Sequence, residues 1–273
     1  MKKIIISALL AMGFSGLAYA QANSADIILG FKATGGTGSA TNLEIDLGSV
    51  SLLEAVSGTV TLTNLLSDGA NSINSVYGSS WASRSDVLWG TVGAVETGQT
   101  GPDGEVSHTL FASSQANSSL LDGNATGTPW NRDGSTASSS TTSKIASLYN
   151  NYGVSTQGGV TIGNSFTVSN GTSGSWSAQE GTTNTAFGNG FTPVTQFENS
   201  ADITGSYVAS DLYSLSPSSV AGTPGTFIGT LAIFSNGNVT FSTIPEPSVY
   251  AAILGVASLG FVAIRRRKQQ ILA

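Results

Sequence analysis

The chain has 273 residues; 40% of them are hydrophobic, only 10% are charged, and none is cysteine. The absence of cysteine excludes disulfides, thiol nucleophiles and thiolate metal sites. The net charge is −6, but six of the ten basic residues lie at the two ends, so between those ends four cations stand against sixteen acids, a net charge of −12. Nucleic-acid binding needs clustered Lys and Arg, so the composition excludes that class of partner.

The N-terminus has the three parts of a secretion signal. Two lysines at residues 2–3 precede an apolar run at residues 4–17, and the small residues Ala18 and Ala20 occupy positions −3 and −1 of a cut after Ala20. The apolar run is short for a retained membrane helix, and a cleavage site follows it. We therefore predict a cleavable signal peptide over residues 1–20.

The body begins with a pattern that indicates a β-hairpin. Asp26–Phe31 is rich in Ile, Leu and Phe, residues 34–38 form a glycine-rich turn, and Asn42–Leu47 alternates apolar with polar residues. Such alternation predicts a strand with one buried face and one polar face. We expect the buried face to hold Leu43, Ile45 and Leu47, and the other face to hold Asn42, Glu44 and Asp46.

The middle of the chain contains weaker signals for two helices and two strands. The predicted elements are a helix over Ser67–Tyr77 that is capped by Ser67 or Asp68 and ends at Gly78, strands over Asp86–Val95 and His108–Ala112, a long polar loop over Ser113–Ser143, and a helix over Lys144–Tyr152. In the second helix four apolar residues share one face at helical spacing. They are Ile145, Leu148, Tyr149 and Tyr152.

The end of the body has the clearest β signals. Predicted strands are Ser165–Val168, Ser210–Leu215, Thr226–Phe234 and Asn238–Ser242, and the last two are joined by Ser235-Asn236-Gly237, where Asn and Gly both tolerate positive φ. The fold class expected for residues 21–243 is mainly β. We predict a single antiparallel β-sandwich-like domain with one or two short helices.

The C-terminus, residues 244–273, has a second tripartite signal. Pro245, Glu246 and Pro247 precede the apolar run Val249–Ile264, and four consecutive cations close it. They are Arg265, Arg266, Arg267 and Lys268. The run is about as short as a transmembrane helix can be, and the cations favour a cytoplasmic location for its far end. This topology places the body outside the inner membrane, in agreement with the N-terminal signal.

This order of motif, short apolar helix and basic cluster resembles the PEP-CTERM sorting tail. The resemblance covers residues 244–269 and implies recognition by an exosortase, a membrane-embedded cysteine transpeptidase, with cleavage near Pro245-Glu246-Pro247. It also implies partnership with the secretion machinery and an inner-membrane intermediate, followed by a location in the cell envelope, on the outer surface or outside the cell. A permanent single-span anchor is the alternative interpretation of the same tail.

Residues that could carry chemistry are sparse. His108 is the only histidine, no G-x-S-x-G motif is present, and one His without Cys excludes the usual zinc sites. The glycines of residues 34–38 lack the spacing of a phosphate-binding loop and are interpreted as turn residues. Glycoside hydrolysis needs two facing acids, and spacing alone pairs neither Glu180 nor Glu198 with another acid. We therefore predict no catalytic residue and no metal ligand.

Two binding patterns stay open. Asp122-Gly123-Asn124 and Asp133-Gly134 place oxygen ligands at glycine turns, which fits either a loop calcium site or plain Asx turns; no other cofactor is expected. Among the tryptophans, Trp130 in a polar loop is the best candidate for stacking on sugar, whereas Trp81 and Trp89 are expected in the core.

Three functional interpretations follow from these patterns. The first is a non-enzymatic structural or surface protein of the cell envelope or extracellular matrix. The second is a carbohydrate-binding module for extracellular polysaccharide, which requires exposed aromatic residues on one sheet face. The third is a carbohydrate-active enzyme, which requires two acids that meet in space.

Overall fold

The computed structural model describes residues 24–116, 130–132, 134–153, 165–180, 191–192, 197–217 and 222–243. The strands are β1 Asp26–Ala33, β2 Thr41–Ser49, β3 Thr59–Asn64, β4 Val87–Ala94, β5 Leu110–Gln115, β6 Asn131–Arg132, β7 Ser165–Ser169, β8 Phe191–Thr192, β9 Asn199–Ser200, β10 Tyr207–Leu215, β11 Thr226–Phe234 and β12 Asn238–Ser242. The helices are α1 Val50–Glu54, α2 Ile73–Tyr77, α3 Ser135–Gly153 and α4 Trp176–Glu180, and single 3-10 turns lie at Gly69–Asn71 and Trp81–Ser83.

One large antiparallel sheet organises the fold. Its strand order is β3-β12-β11-β10-β5-β4-β1-β2-β7, with β9 beside β4, while β6 and β8 form a separate pair. Residues from distant strands of the sheet, such as Leu43 on β2 and Phe241 on β12, lie in the same buried cluster, so the sheet curls around its inner face. The prediction of a mainly β domain is therefore confirmed, but the described strands form a curled sheet rather than a sandwich of two facing sheets.

The first hairpin is confirmed, with β1 paired to β2 and Leu29 opposite Ile45. Its turn is held from outside by Arg84, whose Nη1 donates to the Thr37 carbonyl at 2.8 Å and whose Nη2 donates to the Gly35 carbonyl at 2.9 Å. Asp86 orients the same guanidinium through an ion pair of 2.6 Å. The glycines of residues 34–38 are thus turn residues, as predicted.

Both faces of β2 are buried, which corrects the prediction of a polar outer face. Asn42, Glu44 and Asp46 are at most 6% exposed. The covering elements are α3 and α4: Asn151 of α3 donates to Glu44, and Ser177 of α4 donates to Asn42 at 2.8 Å. Alternation of apolar and polar residues indicates that the two faces of a strand differ, but it does not indicate whether the polar face is exposed to solvent.

The helix α3 starts nine residues before the predicted start at Lys144. It therefore replaces the end of the loop that was predicted over Ser113–Ser143, and the first residues of that loop belong to β5. Ser and Thr in this part have weak helix propensity, and they return hydrogen bonds to the preceding turn, as in Thr142 Oγ1 to Ser138 O at 2.9 Å. Packing of the predicted apolar face onto the sheet offsets that weak propensity. All four of its residues are buried, namely Ile145, Leu148, Tyr149 and Tyr152.

Three local predictions are refined by the structure. The helix predicted over Ser67–Tyr77 is only α2, capped by Ser72, whose side chain accepts from Ser75 N, and it ends at Gly78 with φ 87°. The strand predicted from His108 begins at Leu110, because His108 has φ 68°. In the last hairpin only Gly237 has positive φ, and its N–H donates to Phe234 O at 2.9 Å, which makes a three-residue turn.

The edges of the sheet, β3 and β7, approach a shared segment that runs from Leu65 to Asn71. Asn71 Nδ2 donates to Ser165 O on β7 at 3.3 Å, and Leu65 N donates to Gly237 O at 2.8 Å beside β12. A polar cleft of about 280 Å³ lies along this segment, with walls from β2, β3 and β7. We call this segment, residues 65–71, the seam.

None of the helices in the described part of the chain is both long and apolar enough to span a membrane. The predicted signal peptide, including Ala18 and Ala20, lies outside the described residues. The same is true of the whole C-terminal tail, with Pro245, Glu246, Pro247, the run Val249–Ile264 and the cations Arg265, Arg266, Arg267 and Lys268.

Candidate functional site

Lys32 lies between two acids, Glu180 and Glu198. Its Nζ contacts Glu180 Oε2 and lies 2.7 Å from Glu198 Oε2. The side chains are only 17%, 13% and 7% exposed for Lys32, Glu180 and Glu198. We call these three residues the Lys32 centre, and it is the only cluster of this composition in the ranges that the structure describes.

Three separate elements build the Lys32 centre. Lys32 projects from β1, an interior strand of the sheet, on the face that α3 and α4 cover. Glu180 is the last residue of α4, and Glu198 directly precedes β9. Trp176, the first residue of α4, donates from Nε1 to Glu198 Oε1 at 2.8 Å, so one carboxylate oxygen faces the indole and the other faces Lys32.

Two paired glycines leave room for aromatic rings beside the Lys32 centre. Gly30 on β1 is opposite Gly90 on β4, and the ring of Trp176 lies where a Cβ on Gly30 would be, at 1.9 Å from it. Phe197 stacks on Trp176 with ring centroids 5.8 Å apart and packs over Gly90. The two rings form an apolar wall that limits the access of water to the charges.

Electrostatics in the Lys32 centre favour the protonated form of Glu180. Burial and the negative charge of Glu198 raise the pKa of Glu180 to about 7, against the opposing hydrogen bond and charge of Lys32. Burial lowers the pKa of Lys32, but the two carboxylates outweigh it, so that this pKa ends above its usual value. A neutral Glu180 carboxyl beside the Lys32 ammonium is therefore an accessible state near neutral pH.

A second group of buried acids lies on the same face of β2. Glu44 accepts from Trp176 N at 2.7 Å and from Asn151 Nδ2 at 3.3 Å, and burial raises its pKa to about 8. Burial and the charge of Asp26 raise the pKa of Asp46 to about 7. Glu44 forms no ion pair with any described cation, so it is held by hydrogen bonds to α3 and α4 instead.

The residues considered for catalysis or binding have other environments. His108 Nδ1 lies 3.4 Å from Thr142 Oγ1, a contact that joins β5's start to α3. Trp130 is 2% exposed, and its Nε1 donates to Ser113 O at 2.7 Å, which contradicts the prediction of a sugar-stacking loop residue. Trp81 and Trp89 are buried in the core, as predicted, and Trp176 is buried too.

Carboxylates also meet on the surface. Oxygens of Glu54, Asp103 and Glu105 lie within 4.8 Å of one another. Burial and the charges of Glu105 and Asp103 raise the pKa of Glu54. Of the turns considered for calcium, Asp122-Gly123-Asn124 and Asp133 lie outside the described residues.

The chain matches no protein-family model, no curated protein and no solved structure. The Lys32 centre therefore has to be interpreted from its own geometry. Sequence reasoning named Glu180 and Glu198 but did not pair them, and it missed Lys32. The sequence held only a weak signal for Lys32. Four cations lie between the basic ends of a chain with sixteen acids, so any buried pair of acids could be neutralised by only a few residues, of which Lys32 is one.

Proposed function

We propose that this protein is a non-enzymatic structural component of a bacterial cell envelope or extracellular matrix. It is exported through its N-terminal signal, passes through an inner-membrane intermediate, and is cleaved by an exosortase at Pro245-Glu246-Pro247. The observation that carries this proposal is the order of motif, apolar run and four cations at the C-terminus, together with a signal at the other end that implies the same topology.

The environment of the body's polar and aromatic residues supports a structural role. Among the aromatic side chains whose burial the structure describes, none is fully exposed, and the four tryptophans are all buried. A sugar-binding face usually offers exposed aromatic rings, and no ring of described burial is fully exposed. In the Lys32 centre the acids are paired with a cation and stacked rings cover one side.

Tail processing is tested with the full chain in a host that has an exosortase. We expect mature protein that begins at Gln21 and lacks the residues after about Glu246 or Pro247 in intact-mass analysis. A Glu246→Ala variant should accumulate in the membrane with its tail, because the motif is damaged while the apolar run and the cations remain. A Ser248→Ala variant is the matched control and should be processed normally. Recovery of the full tail on mature wild-type protein would contradict the proposal.

A carbohydrate-active enzyme is the second candidate, and one observation favours it. Glu180 and Glu198 both reach Lys32 Nζ, so two carboxyls meet within a few ångströms, as retaining glycoside hydrolysis requires at a separation of about 5 Å. Purified mature protein incubated with the polysaccharides of the native envelope should then release reducing ends, and Glu198→Gln should abolish the release. Absence of hydrolysis by the wild type removes this candidate. Binding to the same polysaccharides without hydrolysis would favour the carbohydrate-binding module.

A further inference from the structure

We propose that Lys32 and Glu180 condense into an intramolecular isopeptide bond, with Glu198 as the catalytic acid and base. The bond would join the Nζ of Lys32 to the Cδ of Glu180 and would release one water molecule. It requires only the three side chains of the Lys32 centre, so it does not depend on the proposed function or on processing of the tail.

The geometry assigns a different role to each acid. Glu180 has its carboxyl in contact with the amine and sits at the end of a short helix. Glu198 has one oxygen held by Trp176 Nε1 at 2.8 Å, which leaves the other oxygen at 2.7 Å from Lys32 Nζ. An acid fixed in this way is placed to take a proton from the amine and to return it to the departing oxygen. Glu180 is therefore the acceptor of the bond and Glu198 the proton carrier.

The surroundings favour condensation over a permanent ion pair. Stacked Trp176 and Phe197 cover one side of the Lys32 centre, and the low exposure of its three side chains limits hydration of the charges. Lys32 becomes a nucleophile once Glu198 has taken a proton from its ammonium, and a protonated carboxyl is a better electrophile than a carboxylate. The fold also holds the two groups in place, which gives an effective molarity of up to roughly 10⁵–10⁸ M for well-oriented partners.

The step balances without any further reactant. It starts from the ammonium of Lys32, the protonated carboxyl of Glu180 and the carboxylate of Glu198. Glu198 takes one proton from the ammonium, and the nitrogen lone pair then forms a bond to Glu180 Cδ. Glu198 gives its proton to the hydroxyl of Glu180, which leaves as water when the C–O bond breaks. Glu198 finally takes a second proton from the nitrogen, so that the products are a neutral amide, water and protonated Glu198.

The bond would connect parts of the chain that are far apart in sequence. Lys32 and Glu180 are 148 positions apart, and the bond would tie α4 to β1, an interior strand of the sheet. This chain has no cysteine, so the cross-link would supply the constraint on the unfolded state that a disulfide supplies in other exported proteins. It would also remove Glu180 as an acid, which is incompatible with the second candidate function.

The test is mass spectrometry of the full chain after export and folding. We expect the cross-linked protein to be lighter than its processed sequence by about 18 Da, the mass of one water. Trypsin should not cut after Lys32, and the peptide that contains Lys32 should be joined to the one that contains Glu180. A chymotryptic digest, which separates Glu180 from Glu198 at the phenylalanines between them, identifies which acid carries the bond.

Three variants sharpen the result. Lys32→Arg keeps a cation between the acids but removes the nucleophile, so the mass deficit should disappear in a protein that still folds. Glu198→Gln should slow or prevent the bond, because the proton carrier is lost. Lys144→Arg is the matched control, because Lys144 Nζ donates to the backbone carbonyl of Gln179 at 3.4 Å and has no part in the proposed bond. The mass deficit of about 18 Da should therefore persist in this variant.

Two results would overturn the proposal. One is a folded wild-type protein with the full sequence mass and free cleavage after Lys32. The other is a deficit of about 18 Da that persists in Lys32→Arg or maps to an Asp-Gly step such as Asp103-Gly104, where cyclisation of the aspartate also removes water. Circular dichroism of each variant before digestion establishes that the protein is folded.

Discussion

Single residues decide how closely the elements of this protein approach each other. At Gly30 the strand β1 has no Cβ, and the ring of Trp176 occupies that space. This contact sets the distance of α4 from the sheet and so brings Glu180 to Lys32. At Gly38, φ is 84° and an added Cβ would lie 2.4 Å from the ring of Tyr77, so the turn of the first hairpin also depends on glycine.

Replacing Gly30 should therefore disrupt the Lys32 centre. In Gly30→Ala the new methyl overlaps the indole of Trp176, so we expect a loss of about 1–3 kcal/mol or more in the free energy of unfolding, measured by urea denaturation. Gly205→Ala is the control, because an added Cβ there has nothing within 4 Å and the backbone φ is not positive. Its free energy should change by less than about 0.5 kcal/mol. Equal effects at both positions would contradict the close packing of Trp176 on β1.

At the scale of elements, α3 and α4 turn the second face of β2 into an interior surface. Glu44 is the link, since it accepts hydrogen bonds from the first residue of α4 and from Asn151 of α3. This arrangement buries a carboxyl that has no partner cation among the described residues. Such a group is stable mainly in its neutral form, and its pKa rises to about 8.

This burial predicts an unusual dependence of stability on pH. The folded protein holds the Glu44 proton up to about pH 8, whereas the unfolded chain releases it near its ordinary value of 4.5. The folded state therefore binds more protons in this window, and its stability is highest below the unfolded pKa and falls as pH rises. Asp46, with a pKa raised to about 7, acts in the same direction. Urea denaturation should show a lower free energy of unfolding at pH 8 than at pH 5.

Glu44→Gln isolates the contribution of this one group. The variant cannot ionise, so its free energy of unfolding should fall less between pH 5 and pH 8 than that of the wild type. The difference in slope should approach about 1.4 kcal/mol per pH unit within the window. The comparison uses slopes, so a constant loss from altered hydrogen bonds does not affect it. Parallel curves would mean that Glu44 is ionised in the folded protein.

At the scale of the whole molecule, the curled sheet is completed by the seam rather than by pairing of its edge strands. Asn71 contributes most of the polar contacts to β7, through Ser165 O and through Thr167 Oγ1, which donates to Asn71 Oδ1 at 3.1 Å. Asp68 adds a hydrogen bond from Ser165. These contacts satisfy part of an edge that would otherwise be open to pairing with another chain.

The seam can be tested by loosening it. In Asn71→Ala both contacts to β7 are lost, and we expect a decrease of about 1 kcal/mol in the free energy of unfolding, with faster amide exchange confined to β7. Asn74→Ala, an exposed position on α2 with no side-chain hydrogen bond among the described residues, is the control and should leave that exchange unchanged. If amide exchange in Asn71→Ala became faster across the whole sheet, the seam would not be a contact that protects β7 alone.

Sequence patterns predicted several of the strands because their signals are local, although β3 was not among them. Strands β11 and β12 begin and end at the predicted residues, and β4 differs by one residue at each end. The apolar face of α3 was also predicted, since i, i+3, i+4 spacing is a property of the helix alone. The start of α3 was missed because its first turns are Ser and Thr, which helix propensity does not favour and which only tertiary contacts hold in place.

By itself, then, the sequence determined many of the strands and turns and the apolar face of α3, because each depends on residues within a few positions of one another. It also predicts export and sorting from its two ends. The tertiary structure alone decided that the polar face of β2 is buried, that Trp130 lies in the interior, and that Lys32 meets Glu180 and Glu198. Those outcomes depend on contacts between residues far apart in the sequence, such as Lys32 and Glu180 at 148 positions, which the curl of the sheet and the docking of α3 and α4 create.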